Sequence, residues 1–213
     1  MRTMNKADTF FNNDGKERIS AAIREVERTT AGEVAVMVVD ESDSYPEGRM
    51  LVGIASGGLV ALAVGEYFFA DSLWHFALLA ALTIPIFGWL AGYCMPLKRF
   101  FIADARLAAQ VEKRALAAFY EKGLYKTRDA SGVLFFISLF ERRVWVLADK
   151  GIYEKISQET LAEHAKVVAA AVKSGQAAAV LCEQIRAVGL VLTEHFPIKA
   201  GDTNELTDEV MIG

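Results

Sequence analysis

Carboxylates stand at the ends of the apolar runs in this 213-residue chain, and oxygen chemistry is the first possibility they raise. Asp40 follows the run from Val34 to Val39, Asp129 precedes the run that starts at Gly132, and Glu141 and Asp149 bracket the run from Arg143 to Ala148. Brought together, Asp40, Asp129, Glu141 and Asp149 would offer the ligands that a hard divalent cation such as calcium prefers, with Glu33 a less favoured fifth. Arg128 and Arg142 stand beside two of them, and a guanidinium can hold a phosphate through two parallel hydrogen bonds. A plainer reading covers the same residues: Glu141-Arg142-Arg143 as a solvated hairpin turn, and Asp149 as the cap of a helix or turn.

Other chemistry is thinly represented. His75, His164 and His195 are scattered, with no HExxH pair and no cysteine at metal-ligand spacing. Ser131 and Ser138 have no histidine base near them in sequence. No glycine loop follows a strand in a phosphate-cradling form, since Gly57-Gly58 lies within an apolar run. Cys94 and Cys182 fall in environments too different for a disulfide or a shared metal. A net charge of −4 and the lack of a basic patch with interleaved aromatics speak against a nucleic-acid partner. The first residues have no apolar core or cleavage site, so no signal peptide is expected.

Any such site must be positioned by the elements around it. Asp14 with Glu17 three residues on has the form of a capping box, and Ile19, Ala22, Ile23 and Val26 keep helical spacing, which predicts a helix over 14–29. The β-branched run over 34–39 suits a strand covered on both faces. Apolar positions at Leu107, Val111, Ala115, Ala118 and Phe119 predict a helix over 101–122, stopped by Gly123. The runs 132–138 and 143–149, joined by four residues, form an antiparallel pair. Helices follow over 157–173 and 176–195, and the acidic tail carries Met211 and Ile212 as an anchor. The fold class is α/β: helices layered on a small mixed sheet.

One stretch interrupts that layering. From Met50 to Leu97 the chain is almost uncharged: Glu66 is the lone formal charge within the two apolar segments, and Asp71 lies between them. The segments 51–70 and 73–95 each reach the ~20 residues that cross a ~30 Å hydrocarbon core, and only Asp71 and Ser72 separate them. The expectation is a transmembrane helical hairpin over 49–97, with 1–48 and 98–213 as the two parts of one domain. Arg49, Lys98, Arg99 and Arg106 flank it and the turn carries no cation, which places both termini in the cytoplasm of a two-span inner-membrane protein. Tyr67, Phe68, Trp74, Trp89 and Tyr93 sit at interfacial depths. Gly53, Gly57, Ala61 and Gly65, with Gly88 and Gly92 on the return, form small-residue faces for close packing and for self-association. Pro85 predicts a kink. Glu66 either snorkels, pairs with His75, or marks an ion path.

The order of several short motifs resembles the TPM domain family, named for thylakoid lumen, photosystem II repair and acetylcholine-receptor modulator proteins. Thr30-Ala31-Gly32-Glu33-Val34 is similar to its T-S/A-G-E-I/V signature, and Ser131-Gly132-Val133-Leu134 to its N/T-G-V-L strand. Glu141-Arg142 resembles its D/E-R turn, Asp149-Lys150-Gly151-Ile152 its strand end, and Asn204-Glu205-Leu206 the closing N-E-L-P of a bacterial branch with a two-helix insertion. The resemblance spans 10–39 and 106–212. It implies an α/β/α sandwich, and some members are acid phosphatases or calcium binders. Ser131 and Glu141 stand where the family commonly has Asn and Asp.

Two functions are therefore expected in competition. The first is a membrane-anchored binding, scaffold or regulatory module with the bilayer and a protein as partners. The second is a metal-assisted acid phosphatase, dependent on calcium or magnesium, tethered at the membrane.

Overall fold

The computed structural model describes residues 6–69, 73–198 and 206–213. The expected turn at Asp71-Ser72 and the Asn204-Glu205 part of the closing motif lie outside the described residues. In chain order the elements are α1 (Lys6–Phe10), α2 (Asn13–Glu27), β1 (Glu33–Val39), α3 (Pro46–Val52), α4 (Gly58–Phe69), α5 (Leu73–Leu90), α6 (Met95–Phe100), α7 (Asp104–Glu121), β2 (Gly132–Ser138), β3 (Arg143–Ala148), α8 (Lys150–Tyr153), α9 (Gln158–Ser174), α10 (Ala177–His195) and β4 (Met211–Ile212). They form two compact units, Met1–Ser42 with Ala108–Gly213, and Asp43–Leu107.

The first unit is an α/β/α sandwich around a four-stranded mixed sheet of order β3-β2-β1-β4. β1 runs parallel to β2, from Glu33 opposite Gly132 to Val39 opposite Ser138, and β3 returns antiparallel to β2. Side chains alternate across a strand, so Val34, Val36, Val38, Val133, Phe135 and Ile137 enter one core, with residues of α2, α9 and α10. Ala35, Met37, Val39, Leu134 and Phe136 enter a second core with Val111, Ala115, Ala118 and Phe119 of α7. Covering on both faces explains the unbroken apolar runs of β1 and β2, and each fully buried large apolar side chain contributes about 1.5–3 kcal/mol. β3, at the edge, alternates half-buried and buried positions.

One detail corrects the sequence-based expectation and another completes it. The cap of α2 is Asn12, with extended backbone and a side-chain oxygen that accepts from Gly15 N at 2.7 Å, so Asp14 and Glu17 lie inside the helix and form no capping box. Met211 and Ile212 anchor the tail as a strand, pairing parallel with Met37 and Val38.

The second unit holds two helices long and apolar enough to cross a membrane, Pro46–Phe68 and Leu73–Tyr93. The first contains a π-helical turn at Gly53–Gly57. A Cβ on Gly53 would lie 2.6 Å from Ile84 O, and one on Gly57 2.7 Å from Ile84 N and Cα, so the two backbones touch where these glycines fall. Ala61 continues the contact face, fully buried, while Gly65 looks into open space. Thr83 Oγ1 lies within hydrogen-bond reach of Gly57 O (2.8 Å) and Leu79 O (2.9 Å), which ties the helices together at the π turn. Away from that seam Leu59, Leu62, Leu73, Leu78, Leu82 and Trp89 are exposed, and only 22% and 11% of the two apolar windows are buried. Core helices of water-soluble proteins show the reverse pattern.

The return helix does not run on into α7, which begins at Asp104 rather than at the expected 101. It tightens at Ala91–Tyr93, breaks at Cys94 (φ −107°, ψ 81°), and restarts as α6, followed by a second break before Asp104. Pro96 has no N–H to donate to the carbonyl of Gly92, so a continuous helix fails there. Tyr45, in a left-handed conformation (φ 46°) and fully buried, packs under Lys98 Nζ at 5.4 Å and Arg106 Cζ at 6.0 Å from its ring centre. Arg106 also pairs with Asp43 and Glu47, each at 3.0 Å.

Candidate functional site

The six residues singled out for cation or phosphate binding lie at opposite ends of the sheet. Asp40, Glu141 and Arg142 stand where β1 and β2 end; Arg128, Asp129 and Asp149 stand where β2 begins and β3 ends. Seven residues of β2 at ~3.3 Å each separate the ends by roughly 20 Å. One ion cannot be shared by Asp40, Asp129, Glu141 and Asp149, and one phosphate cannot be clamped by Arg128 and Arg142. Among the described residues no group of three or more His, Cys, Asp or Glu side chains is arranged to hold a metal. A calcium site made of these four carboxylates does not fit the fold.

At the carboxyl end of the parallel strands each acid has a local task. Asp40 accepts from Ala7 N at 2.6 Å and Lys6 N at 3.2 Å, closing the amino terminus of α1. Glu141 is completely buried. One of its oxygens accepts from Ser42 N at 2.8 Å and the other from the Ser138 hydroxyl, while the Ser42 hydroxyl donates to Ser138 Oγ at 2.9 Å. This chain of two hydroxyls and a carboxylate clasps the segment leaving β1 to the β2–β3 turn. Ser138 has no exposed surface, so its hydroxyl cannot meet a substrate from solvent. The turn itself places Arg142 in a left-handed conformation (φ 53°) with its side chain exposed. Expectation and structure agree on a hairpin turn but not on its being solvated: Arg142 is in water, and Glu141 is inside.

At the other end the short motifs act as joints. Thr30 Oγ1 donates to Phe196 O at 2.6 Å and accepts from Gly32 N at 3.0 Å, while Ala31 N donates to Phe196 O at 2.9 Å. Ser131 Oγ donates to Ala31 O at 2.9 Å, so the start of β1 is tied both to the end of α10 and to the start of β2. A Cβ at Gly132 would meet Leu124 O at 2.6 Å, and one at Gly151 would meet Ala130 O at 2.7 Å; only glycine permits either approach. Asp149 caps α8 by accepting from Lys150 N at 2.7 Å, and its second oxygen is buried without a hydrogen bond. Arg128 is exposed and Asp129 half-buried beside Ala130, which is left-handed (φ 50°).

The strongest electrostatic perturbation in this unit involves Glu27 and Asp208, which the sequence did not single out, together with Glu33, the less favoured fifth candidate ligand. Glu27, half-buried at the end of α2, accepts from Val34 N at 3.1 Å. Burial pushes its carboxyl up to about 8, against the Val34 hydrogen bond, with further upward pressure from Glu33 and from Asp208, to which it is hydrogen-bonded. Asp208 in turn lies 3.8 Å from Arg24. Nothing in one dimension marks this set, because Glu27 closes a helix, Glu33 opens a strand and Asp208 sits in the tail. The histidines stay apart: His164 Nδ1 is 2.7 Å from Gln184 Oε1 between α9 and α10, His195 ends α10, and His75 lies in α5. Cys182 is buried, which raises its thiol pKa, and Cys94 is exposed in the other unit.

No protein-family model matches the chain, and no curated protein is similar to it in sequence. Among solved structures, the chain is similar to the NMR structure of BA42 protein from the psychrophilic bacterium Bizionia argentinensis, with a TM-score of 0.59 and 19% identity over 96% of each chain. At that identity the likeness is one of fold.

Proposed function

We propose that this chain is a membrane-anchored module of TPM type, whose α/β/α unit binds or regulates a protein partner at the cytoplasmic face of an inner membrane. One observation carries the reading: two adjacent helices, each long enough to span a bilayer, expose leucine, isoleucine and tryptophan outside their mutual seam. A water-soluble protein has no use for such a surface, whereas a membrane anchor requires it. The flanking cations favour the cytoplasm for both ends. The motif order supports the TPM assignment, and the motif residues work as caps and joints. That use suits a module whose job is to present a surface.

The competing phosphatase would need acid, base and electrophile within reach of one phosphate, and the candidates for those roles divide between the two ends of the sheet. Two measurements on the full chain test the proposal. The protein is expected to stay with the membrane through an alkaline carbonate wash and to require detergent for release. It is also expected to leave a phosphomonoester intact with calcium, magnesium or manganese present. Turnover that disappears in folded Glu141→Gln and Asp149→Asn variants would transfer the function to the phosphatase reading.

A further inference from the structure

Within the second unit, beside the seam of the two long helices, lies a groove of about 320 Å³ lined by Arg49, Met50, Ile84, Pro85, Gly88 and Trp89. We infer that this groove is a binding site for an anionic phospholipid, its phosphate held by Arg49 and the upper part of one acyl chain laid along Met50, Ile84 and Pro85. The inference rests on the membrane-anchor reading and adds a ligand to it.

The composition of the groove fits that occupant. Its walls are apolar except for one cation and one indole, and both stand at the rim where a membrane presents its headgroups. From Trp89 to Ile84 the helix descends about 7 Å at ~1.5 Å per residue, the distance from headgroup level into the first methylenes. Small residues shape the cleft: a Cβ at Gly88 would meet Arg49 O at 3.3 Å, and one at Gly92 would lie 3.7 Å from Arg49 Nε, so the arginine lies flat across the return helix. Its charge is available. Arg106 is held between Asp43 and Glu47, and Lys98 is buried over the Tyr45 ring. The guanidinium of Arg49 is exposed and pairs with no carboxylate among the described residues. A planar guanidinium beside an apolar cleft matches a phosphodiester better than a carboxylate-rich or purely apolar ligand.

The test uses the full chain with Trp74→Phe and Trp145→Phe, which leaves Trp89 as the sole tryptophan of the three. The protein is reconstituted into phosphatidylcholine vesicles containing a minor fraction of either brominated phosphatidylglycerol or brominated phosphatidylcholine, and quenching of Trp89 is measured. One arginine near the surface should enrich the anionic lipid about five-fold around Trp89. Arg49→Gln should abolish the preference, Arg49→Lys retain part of it, and Arg99→Gln, a cation outside the groove, leave it unchanged. Equal quenching by the two lipids in the parent, or a preference that survives Arg49→Gln or vanishes in Arg99→Gln, overturns the site while leaving the anchor intact. Absence of quenching by either lipid removes the anchor and the site together.

Discussion

Replacing Glu27 by glutamine should stabilise the protein at alkaline pH and leave it nearly unchanged in acid. In the unfolded chain this carboxyl ionises near its ordinary value of 4.5, whereas in the fold it keeps its proton to about 8 because burial, Glu33 and Asp208 all disfavour the charge. The stability from the protonated form is thus fully present below pH 4.5, declines as pH rises, and is lost above 8. Taken at full weight the shift corresponds to about 5 kcal/mol, and screening at a half-buried group reduces it to roughly 2 kcal/mol. Glutamine reproduces the neutral acid: Oε1 can accept from Val34 N as Glu27 does at 3.1 Å, and the amide N–H can donate to Asp208. Thermal unfolding of the full chain in detergent, followed by near-ultraviolet circular dichroism, should give a variant melting about 4–8 °C above wild type near pH 9. The two should converge near pH 5. Asp208→Asn should move the wild-type transition to lower pH by removing one of the charges that raise it. Parallel melting curves across this range, or a variant destabilised at every pH, would refute the buried-acid account.

Three further outcomes follow from the packing. Glu141→Ala leaves the buried Ser138 hydroxyl without its acceptor and frees Ser42 N, and should cost about 2–4 kcal/mol in urea unfolding, with Glu141→Gln milder. Gly57→Leu forces a side chain into Ile84 backbone 2.7 Å away, so the hairpin should splay and become protease-sensitive in proteoliposomes, whereas Gly65→Leu, which points into open space, should be tolerated. Reporter fusions at the carboxyl terminus and at Asp71 should report cytoplasmic and external locations respectively; an external carboxyl terminus would reverse the charge argument.

What the sequence by itself determined is what depends on pattern along the chain. The unbroken β-branched run over 34–39 announced a strand covered on both faces, helical spacing announced α2 and α7, and length with apolarity announced the two long helices. Those signals are local, because burial imposes its period on neighbouring residues. The small-residue spacing at Gly53 and Gly57 also correctly marked the face where helix backbones touch.

Convergence was decided only in three dimensions. Acids at strand ends look alike in sequence, yet an antiparallel return and a parallel pairing put Asp40 and Glu141 at one end of β2 and Asp129 and Asp149 at the other. Whether a carboxylate caps a helix, as Asp40 does, or sits fully buried under two serines, as Glu141 does, depends on backbone brought from 33 residues away in the first case and 99 in the second. The Glu27 cluster and the Arg49 groove escaped notice for the same reason. Each is assembled from separate elements whose approach is fixed by packing, and packing is a property of surfaces that the linear order does not carry.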